Sequence, residues 1–526
     1  MGFDSDQASV QSISLFVLLL CVCILLGHLF EKNRWINSTI IGLLIGFGTG
    51  GVILLITERT SSVLFKFNEE LFFNYILPPI IFNAGFQVKK KQFFHNFTTI
   101  MLFGAFGTLI SFGVILLGAL LFFKDLDVGF LDMTDYLAIG AIFAATDSVS
   151  TLQILNQEET PFVYSLVFGE SVVNDATSVV LFHVIRRFEL SNSGATVAPE
   201  FVGQFLYLFI ASTLLGVLVG LLCAYITKKL YFGRHSTDRE IAVMLLMAYL
   251  SYMIAELFNF SGILSVFFCG IVMSHYTWHN VTESSRISLK HGFATLSYIA
   301  ETFIFLYVGM DALDVEKWKF VVHSPGTSVG VSSILLALVL VGRASSIFPL
   351  SLLANLTKKA PDEKIELRQQ VIIWWAGLTR GSVSMALAYN QFARSGHTQQ
   401  RGNAIMITST ITVILFTTLV FGMLTKPLLR LLVPSSTLSS NTPSSDPSSP
   451  KSTTLPLLSN WQDSDTAMAH NIARKSTLHL LLTTPTRTVH YYWRKFDNAC
   501  MRPVFGGHFH YAPRSTEDGT IEDERE

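Results

Sequence analysis

About 13 apolar runs, each long enough to cross the ~30 Å of bilayer hydrocarbon, fill most of the chain between residues 13 and 432, with only short polar connections between them. Runs of that length read as membrane helices, so the expected fold is an all-α polytopic membrane protein. Only 14% of the 526 residues are charged while 50% are hydrophobic, which excludes a disordered chain and an ordinary soluble enzyme. The 37 basic and 38 acidic side chains nearly cancel to −1, so nothing draws the whole chain to nucleic acid.

The chain opens MGFDSDQASV, without Lys or Arg, and so lacks the basic start of a cleavable signal; Asp6 does not fit a myristoylation pattern. Residues 1–12 are read as a short N-terminal segment, 13–433 as the membrane domain, 434–470 as a linker and 471–526 as a hydrophilic regulatory tail. The linker contains SSTLSSNTPSSDPSSPKSTT, which has too little apolar surface to bury a core. The tail stretch TPTRTVHYYWRKFDNACMRPVFGG mixes basic and aromatic residues. It either lies on the membrane surface or forms a short docked element or regulatory binding site.

Loops after odd-numbered runs hold about 17 Lys and Arg, Lys89, Lys90 and Lys91 among them, against about nine after even-numbered runs. The bias puts the odd side and the C-terminus in the cytosol. The N-x-Ser/Thr patterns at Asn37, Asn96, Asn280 and Asn355 fall on that side and are expected to stay unmodified; Asn259 begins another in a short even-side connection. Cys21 and Cys23 lie about 200° apart on a helix, and no disulfide framework, zinc site or cofactor site is read from the five cysteines.

The informative residues are the charges inside the runs, because each costs about 2.5–3.5 kcal/mol at a helix centre unless it has a partner, water or a function. They are Asp147, Glu170, Asp175, Glu256, Glu301, Arg343 and Arg380. Glu256 and Glu301 lie nearer the ends of their runs and are assigned a snorkelling or structural role. Within the sixth run, Glu170 and Asp175 point about 140° apart and so address different surroundings. Asp175 shares a face with Ser171 and Ser178, whose oxygens leave room for water or a hard cation. Either Asp175 is an ion ligand and Glu170 holds a permanent cation, with Arg343 a candidate, or Asp175 is itself the one paired with an arginine.

The fifth run (134–155) weakens at Ala144-Ala145-Thr146-Asp147-Ser148, and the twelfth (370–389) breaks at Gly377-Leu378-Thr379-Arg380-Gly381-Ser382. With the seventh run as a connector, two six-helix halves of opposite orientation each carry their interruption in the fifth helix. Paired broken helices at matched positions point to a midplane ion site in an inverted-repeat secondary transporter. At such a crossing the two N-terminal ends favour an anion such as Asp147, and the C-terminal ends a cation such as Arg380.

Four stretches, FGESVVNDATSVVLF, AIFAATDSVSTLQIL, AGLTRGSVSMALAY and LFFNYILPPIIFNAGFQVKKKQFF, together resemble the sodium/proton exchangers of the monovalent cation:proton antiporter superfamily, and specifically the plant vacuolar branch. The resemblance spans roughly residues 10–433, and VHYYWRKFDNACMRPVFGG is similar to that branch's tail. It implies that Asn174-Asp175 forms the cation and proton site, that Thr146-Asp147 at the crossing supports it, and that Glu170 and Arg343 form a stabilising ion pair. Arg380 is similar to the arginine of the second crossing, and Leu77, Pro78, Pro79, Ile80, Ile81 and Phe82 resemble the segment tied to amiloride-type inhibitor sensitivity. Ser171 departs from the Gly often found beside the Glu.

The implied activity is electroneutral exchange of Na⁺ or K⁺ for H⁺ across the vacuolar membrane by a homodimer, serving cation sequestration and pH and salt homeostasis. The expected mechanism is competition of one proton with one Na⁺ or K⁺ for Asp175. A cation channel or an electrogenic exchanger is the alternative, although no TVGYG-like filter is present. An intramembrane enzyme would need a nucleophile with a base, or metal ligands, yet His28, His183 and His275 sit in separate runs. Gly46-Phe47-Gly48-Thr49-Gly50-Gly51 lies inside an apolar run and signals close helix packing rather than a nucleotide loop.

Overall fold

The computed structural model describes residues 2–30, 37–56, 69–126, 128–155, 160–187, 197–230, 237–313, 325–357, 364–393, 401–432, 493 and 495–506. The linker 434–470 and most of the tail lie outside the described residues. The apolar runs are helical apart from the breaks in the fifth and twelfth, as backbone must be where no water can satisfy its polar groups. Among the described residues, seven helices are long and apolar enough to cross a membrane.

In chain order the helices are α1 (Gly2–Leu29), α2 (Ser38–Ile56), α3 (Leu77–Gln87), α4 (Phe97–Phe122), α5 (Met133–Ala144), α6 (Val149–Leu152) and α7 (Pro161–Arg187). The connector α8 (Val197–Leu230) leads to α9 (Thr237–Leu257), α10 (Gly262–Val272) and α11 (Glu283–Asp311). Then come α12 (Pro325–Thr357), α13 (Leu367–Ala376), α14 (Ser382–Phe392) and α15 (Arg401–Leu432). Helix α1 begins at Gly2 and so takes in residues 2–12.

Two bundles result. Helices α4 to α7 pack with α12 to α15, while α1 to α3 pack with α8 to α11. The second bundle is rigid where α2 meets α11: a Cβ on Gly46 would collide with the Leu306 carbonyl oxygen, and one on Gly309 with that of Leu43. The glycine-rich stretch of α2 therefore does what its position in an apolar run implied, letting two backbones touch. Glu256 also keeps the structural role read for it, accepting the Gly262 N–H at 3.0 Å where α10 begins.

Residues 495–506 of the tail stretch are docked. Asp497 in the π-helical turn Asp497–Met501 accepts from Tyr276 Oη at 2.6 Å and pairs with Arg502 at 2.8 Å, beside His275. Lys228 donates to the Pro503 carbonyl, and Asn280 Nδ2 to those of Phe505 and Ala224. The Asn280 amide is thus committed to holding the tail.

Candidate functional site

The two predicted interruptions meet. Helix α5 stops at Ala144 and α6 starts at Val149; α13 stops at Ala376 and α14 starts at Ser382. The extended residues between them pair across the crossing, with Asp147 N donating to Thr379 O at 3.0 Å and Thr379 Oγ1 donating back to Asp147 O. Ser148 Oγ reaches Ala376 O at 3.2 Å and Ser384 Oγ reaches Ile142 O at 2.9 Å, so each chain's hydroxyls satisfy the other's loose carbonyls.

The charges sit where the end dipoles require them. Asp147 Oδ1 accepts the Val149 N–H at 3.1 Å, at the start of α6, and Arg380 Nη1 donates to Ala145 O, just past the end of α5. Gly381 allows this closeness, since a Cβ there would overlap the Asp147 carboxylate. The Arg380 backbone is held in turn by α15, with Thr417 Oγ1 accepting its N–H and Thr418 Oγ1 donating to its carbonyl, both at 3.2 Å. Those threonines lie in the π-helical turn Thr417–Phe421, whose extra residue re-aims side chains out of the α-helical register. Hydropathy gave no sign of either, because a threonine in an apolar run is common and a π-turn leaves no sequence mark.

Glu170 on α7 and Arg343 on α12 form the ion pair that the sequence left open, Nη1 to Oε1 at 2.6 Å and Nη2 to Oε2 at 2.9 Å. Arg343 Nη2 also donates to Ile373 O at 3.2 Å, and Gly377 leaves space for the guanidinium. The Asn174 amide is hydrogen-bonded at both ends: Oδ1 accepts the Thr146 N–H at 2.8 Å, while Nδ2 donates to Thr108 Oγ1 at 2.7 Å and Ala144 O at 3.2 Å. Its whole amide fastens α7 to α4 and to the crossing.

Asp175 faces a cavity of about 70 Å³ between the two bundles, more than twice the ~30 Å³ that a water takes in the liquid. Thr146, Asp147, Gly381 and Ser382 share its wall on the crossing side. Leu77, Ile80 and Ile81 of α3 and Ile304 and Phe305 of α11 close the other side, whereas Pro78, Pro79 and Phe82 of the inhibitor-like segment lie off the cavity. Phe82 instead packs against Phe86 and Phe293. Ser171 and Ser178, expected beside the ion, do not line it either. Among the described residues nothing forms an ion pair or hydrogen bond with the Asp175 carboxylate. Of the two arrangements open to the sequence, the one with Asp175 left free is realised.

Glu301, read from its place near the end of a run as structural, instead lines this cavity. A second residue missed by the sequence is Tyr389 on α14, whose Oη donates to Asp311 Oδ2 at the end of α11 and so ties the two bundles together. Glu301 stands out in sequence as a charge inside an apolar run and Tyr389 does not, but the place of both follows from how α11 lies against the crossing.

A family model described as "Sodium/hydrogen exchanger, transmembrane" matches residues 16–431. The chain is 68% identical over 503 residues to sodium/hydrogen exchanger 1 of Oryza sativa subsp. japonica, covering 96% of itself and 94% of that relative. It is 67% identical over 508 residues to sodium/hydrogen exchanger 2 of Arabidopsis thaliana, covering 96% and 93%. Sodium/hydrogen exchanger 8 of Homo sapiens is 34% identical over 440 residues, 82% of this chain and 73% of that one. Among solved structures, the sodium proton antiporter MjNhaP1 from Methanocaldococcus jannaschii at pH 8 aligns with a TM-score of 0.57 and 20% identity over 80% of this chain and 99% of that chain. At that identity the likeness speaks to the fold.

Proposed function

The chain belongs to the transmembrane sodium/hydrogen exchanger family, and from that premise we propose that it works by competition of one proton and one cation for the Asp175 carboxylate. It is a secondary transporter that exchanges Na⁺ for H⁺ across a membrane. The observation that carries the Asp175 assignment is its isolation: it faces the cavity with no partner among the described residues, while Glu170 is consumed by Arg343 and Asp147 is bonded at the start of α6.

Ionised, Asp175 holds the cation with Thr146 beside it; protonated, it is neutral and releases it. Ionised Asp175 carries one negative charge, which either a proton or a monovalent cation neutralises. That equality of charge in the two loaded states supports electroneutral exchange, with K⁺ as well as Na⁺ as substrate. The two bundles supply the moving parts: the crossing and α7 carry the site past α3 and α11, which alternates access without exposing an empty charge to hydrocarbon.

We place the protein in the vacuolar membrane as a homodimer, a reading that rests on the motifs similar to the plant vacuolar branch. The positive-inside bias supports a cytosolic C-terminus, and the docked tail sits at the domain end that carries Lys228 and Asn280, on the same side as Lys89 to Lys91 in the reading of the loops. The tail is then available to a cytosolic regulator. Purified protein in liposomes with a lumenal pH dye tests the site: Asp175→Asn is expected to abolish Na⁺- and K⁺-driven proton flux while eluting as folded protein. Normal exchange by that variant would sink the assignment.

A further inference from the structure

Two helices that wall the cavity lead out of it together. On α11, Phe305 lines the cavity, and Asp311 is the last residue of the helix, about 9 Å further along its axis. On α14, Ser384 lines the cavity and Tyr389 lies about 8 Å further along. There the two helices meet, Tyr389 Oη donating to Asp311 Oδ2, and both residues are 1% exposed. The bond spans the seam between the two bundles at one mouth of the cavity. A buried carboxylate at the last residue of a helix stands against the negative end of the dipole, and a phenol donor offsets part of that cost.

The same end is tied a second time. Arg187 Nη2, at the end of α7, donates to the carbonyl of Asn259 in the turn between α9 and α10, again from bundle to bundle. Arg186 Nη1 donates to Asn390 Oδ1 at 2.6 Å, which sets these arginines beside Tyr389. Asp311 lies at the other end of α11 from Asn280, which holds the tail. The tail end is closed differently. Gly42 of α2 lies against Phe305 and Gly50 against Met310, so α2 runs alongside α11 in the same direction and begins far from Asp311. There Gln153, just past α6, meets Ser38 Oγ and Thr39 Oγ1 at 3.4 Å each. Those are neutral bonds at the long limit, whereas a hydrogen bond onto a carboxylate is about twice as strong as a neutral one. Among the described residues the two ends are thus held unequally, in favour of closure at Asp311.

We propose that Tyr389 and Asp311 form the gate of the exchange path on the side away from the docked tail, closed in this structure and broken each time Asp175 is presented to that side. Asp311 is the fixed half, because α11 is packed backbone to backbone on α2. Tyr389 is the moving half, since α14 belongs to the crossing that carries the site. The closed gate favours the state that faces the tail, and opening it costs one buried hydrogen bond that is regained on return. Neither side chain lines the cavity, so the pair sets which side the site faces and leaves cation binding to the residues around Asp175.

This inference rests on Asp175 being carried between the bundles, and the test separates the two. Full-length protein with Ser382→Cys, a position that lines the cavity, is reconstituted with equal Na⁺ and pH on both faces and labelled from one face at a time with a membrane-impermeant methanethiosulfonate. Protein without Ser382→Cys supplies the background from the five native cysteines. Adding Tyr389→Phe, which keeps the ring and deletes the donor, is expected to raise the labelling rate from the face away from the tail about fivefold to tenfold and to lower it from the tail face. Asp311→Asn keeps an acceptor oxygen, and its rate is expected to fall between those of the intact gate and Tyr389→Phe. An unchanged rate from the far face, or an equal rise from both faces such as general loosening gives, overturns the proposal. If Tyr389→Phe does not accumulate as folded protein, Asp311→Asn decides, and unaltered labelling overturns it. Loss of exchange in Asp175→Asn together with unaltered labelling in Tyr389→Phe removes the gate alone; normal exchange in Asp175→Asn together with raised far-face labelling removes the Asp175 site and leaves the gate standing.

Discussion

Arg343 meets Glu170 in a two-pronged ion pair, at 2.6 Å and 2.9 Å, with the two side chains 1% and 0% exposed and 173 residues apart in the chain. Burial makes the pair unforgiving, because either partner alone is an uncompensated charge in a low dielectric. It also removes two charges from the site's electrostatics, so that the remaining negative charge is free to be exchanged.

Glu170→Gln is therefore expected to destabilise the protein by about 3–5 kcal/mol, and the double variant Glu170→Gln with Arg343→Gln by clearly less, since the orphaned charge is gone. Thermal unfolding in detergent by size-exclusion chromatography measures this. A double variant no more stable than Glu170→Gln would show that the two residues do not act as a pair.

Asn174 uses its amide as both acceptor and donor. Asn174→Asp keeps the shape and the acceptor for Thr146 N–H but sets a carboxylate oxygen against the Ala144 carbonyl and deprives it of its donor. Leaving one such buried group unsatisfied costs about 1–3 kcal/mol. Exchange by Asn174→Asp is expected to show a Vmax at least about tenfold lower, because the crossing that places Thr146 is loosened. Flux at saturating Na⁺ reads this directly, and a wild-type Vmax would return Asn174 to a passive role.

Gly46→Ala places a methyl against the Leu306 carbonyl oxygen at the contact of α2 with α11. Overpacking of this kind costs about 1–3 kcal/mol. A lower melting temperature with an unchanged KM is the expected pattern, since neither Gly46 nor Leu306 lines the cavity. A KM change without a stability change would contradict the rigid-support role given to α11.

Tail docking has a defined pH dependence. Burial pushes the Asp497 carboxyl up, but hydrogen bonds from His275 and Tyr276 and the charges of His275 and Arg502 more than offset it, so it lies below its ordinary value of 3.8. A carboxylate depressed in the docked state stabilises docking above the free value and loses that contribution as pH falls through the docked one. Docking is therefore expected to hold at neutral and mildly acidic pH and to fail only below about pH 4. Asp497→Asn is expected to release the tail at pH 7, seen as faster proteolysis after the membrane domain. Equal cleavage of wild type and variant would show that the Asp497 cluster does not hold the tail.

Much of this molecule is legible one residue at a time. The apolar runs become helices because hydrocarbon leaves the backbone no other partner, and Ala145 to Ser148 and Gly377 to Gly381 break them because those residues cannot continue an apolar helix cheaply. The matched breaks put Asp147 and Arg380 at helix ends, and the dipoles of those ends favour the charge that each carries. Positions near the end of a run were a poorer guide: the same argument suited Glu256, which caps a helix, and missed Glu301, which lines the cavity.

The sequence by itself determined a polytopic helical protein with two crossing broken helices and a short set of buried charges, since hydropathy and helix breaking are local properties of the chain. Only the tertiary structure decided which carboxylate is free. Glu170 is neutralised by a residue on a distant helix, Asn174 is spent on fastening the crossing, and Asp175 and Glu301 are left facing one cavity from two bundles. Whether a buried charge is paired depends on distances across the fold, and hydropathy along the chain carries no information about them.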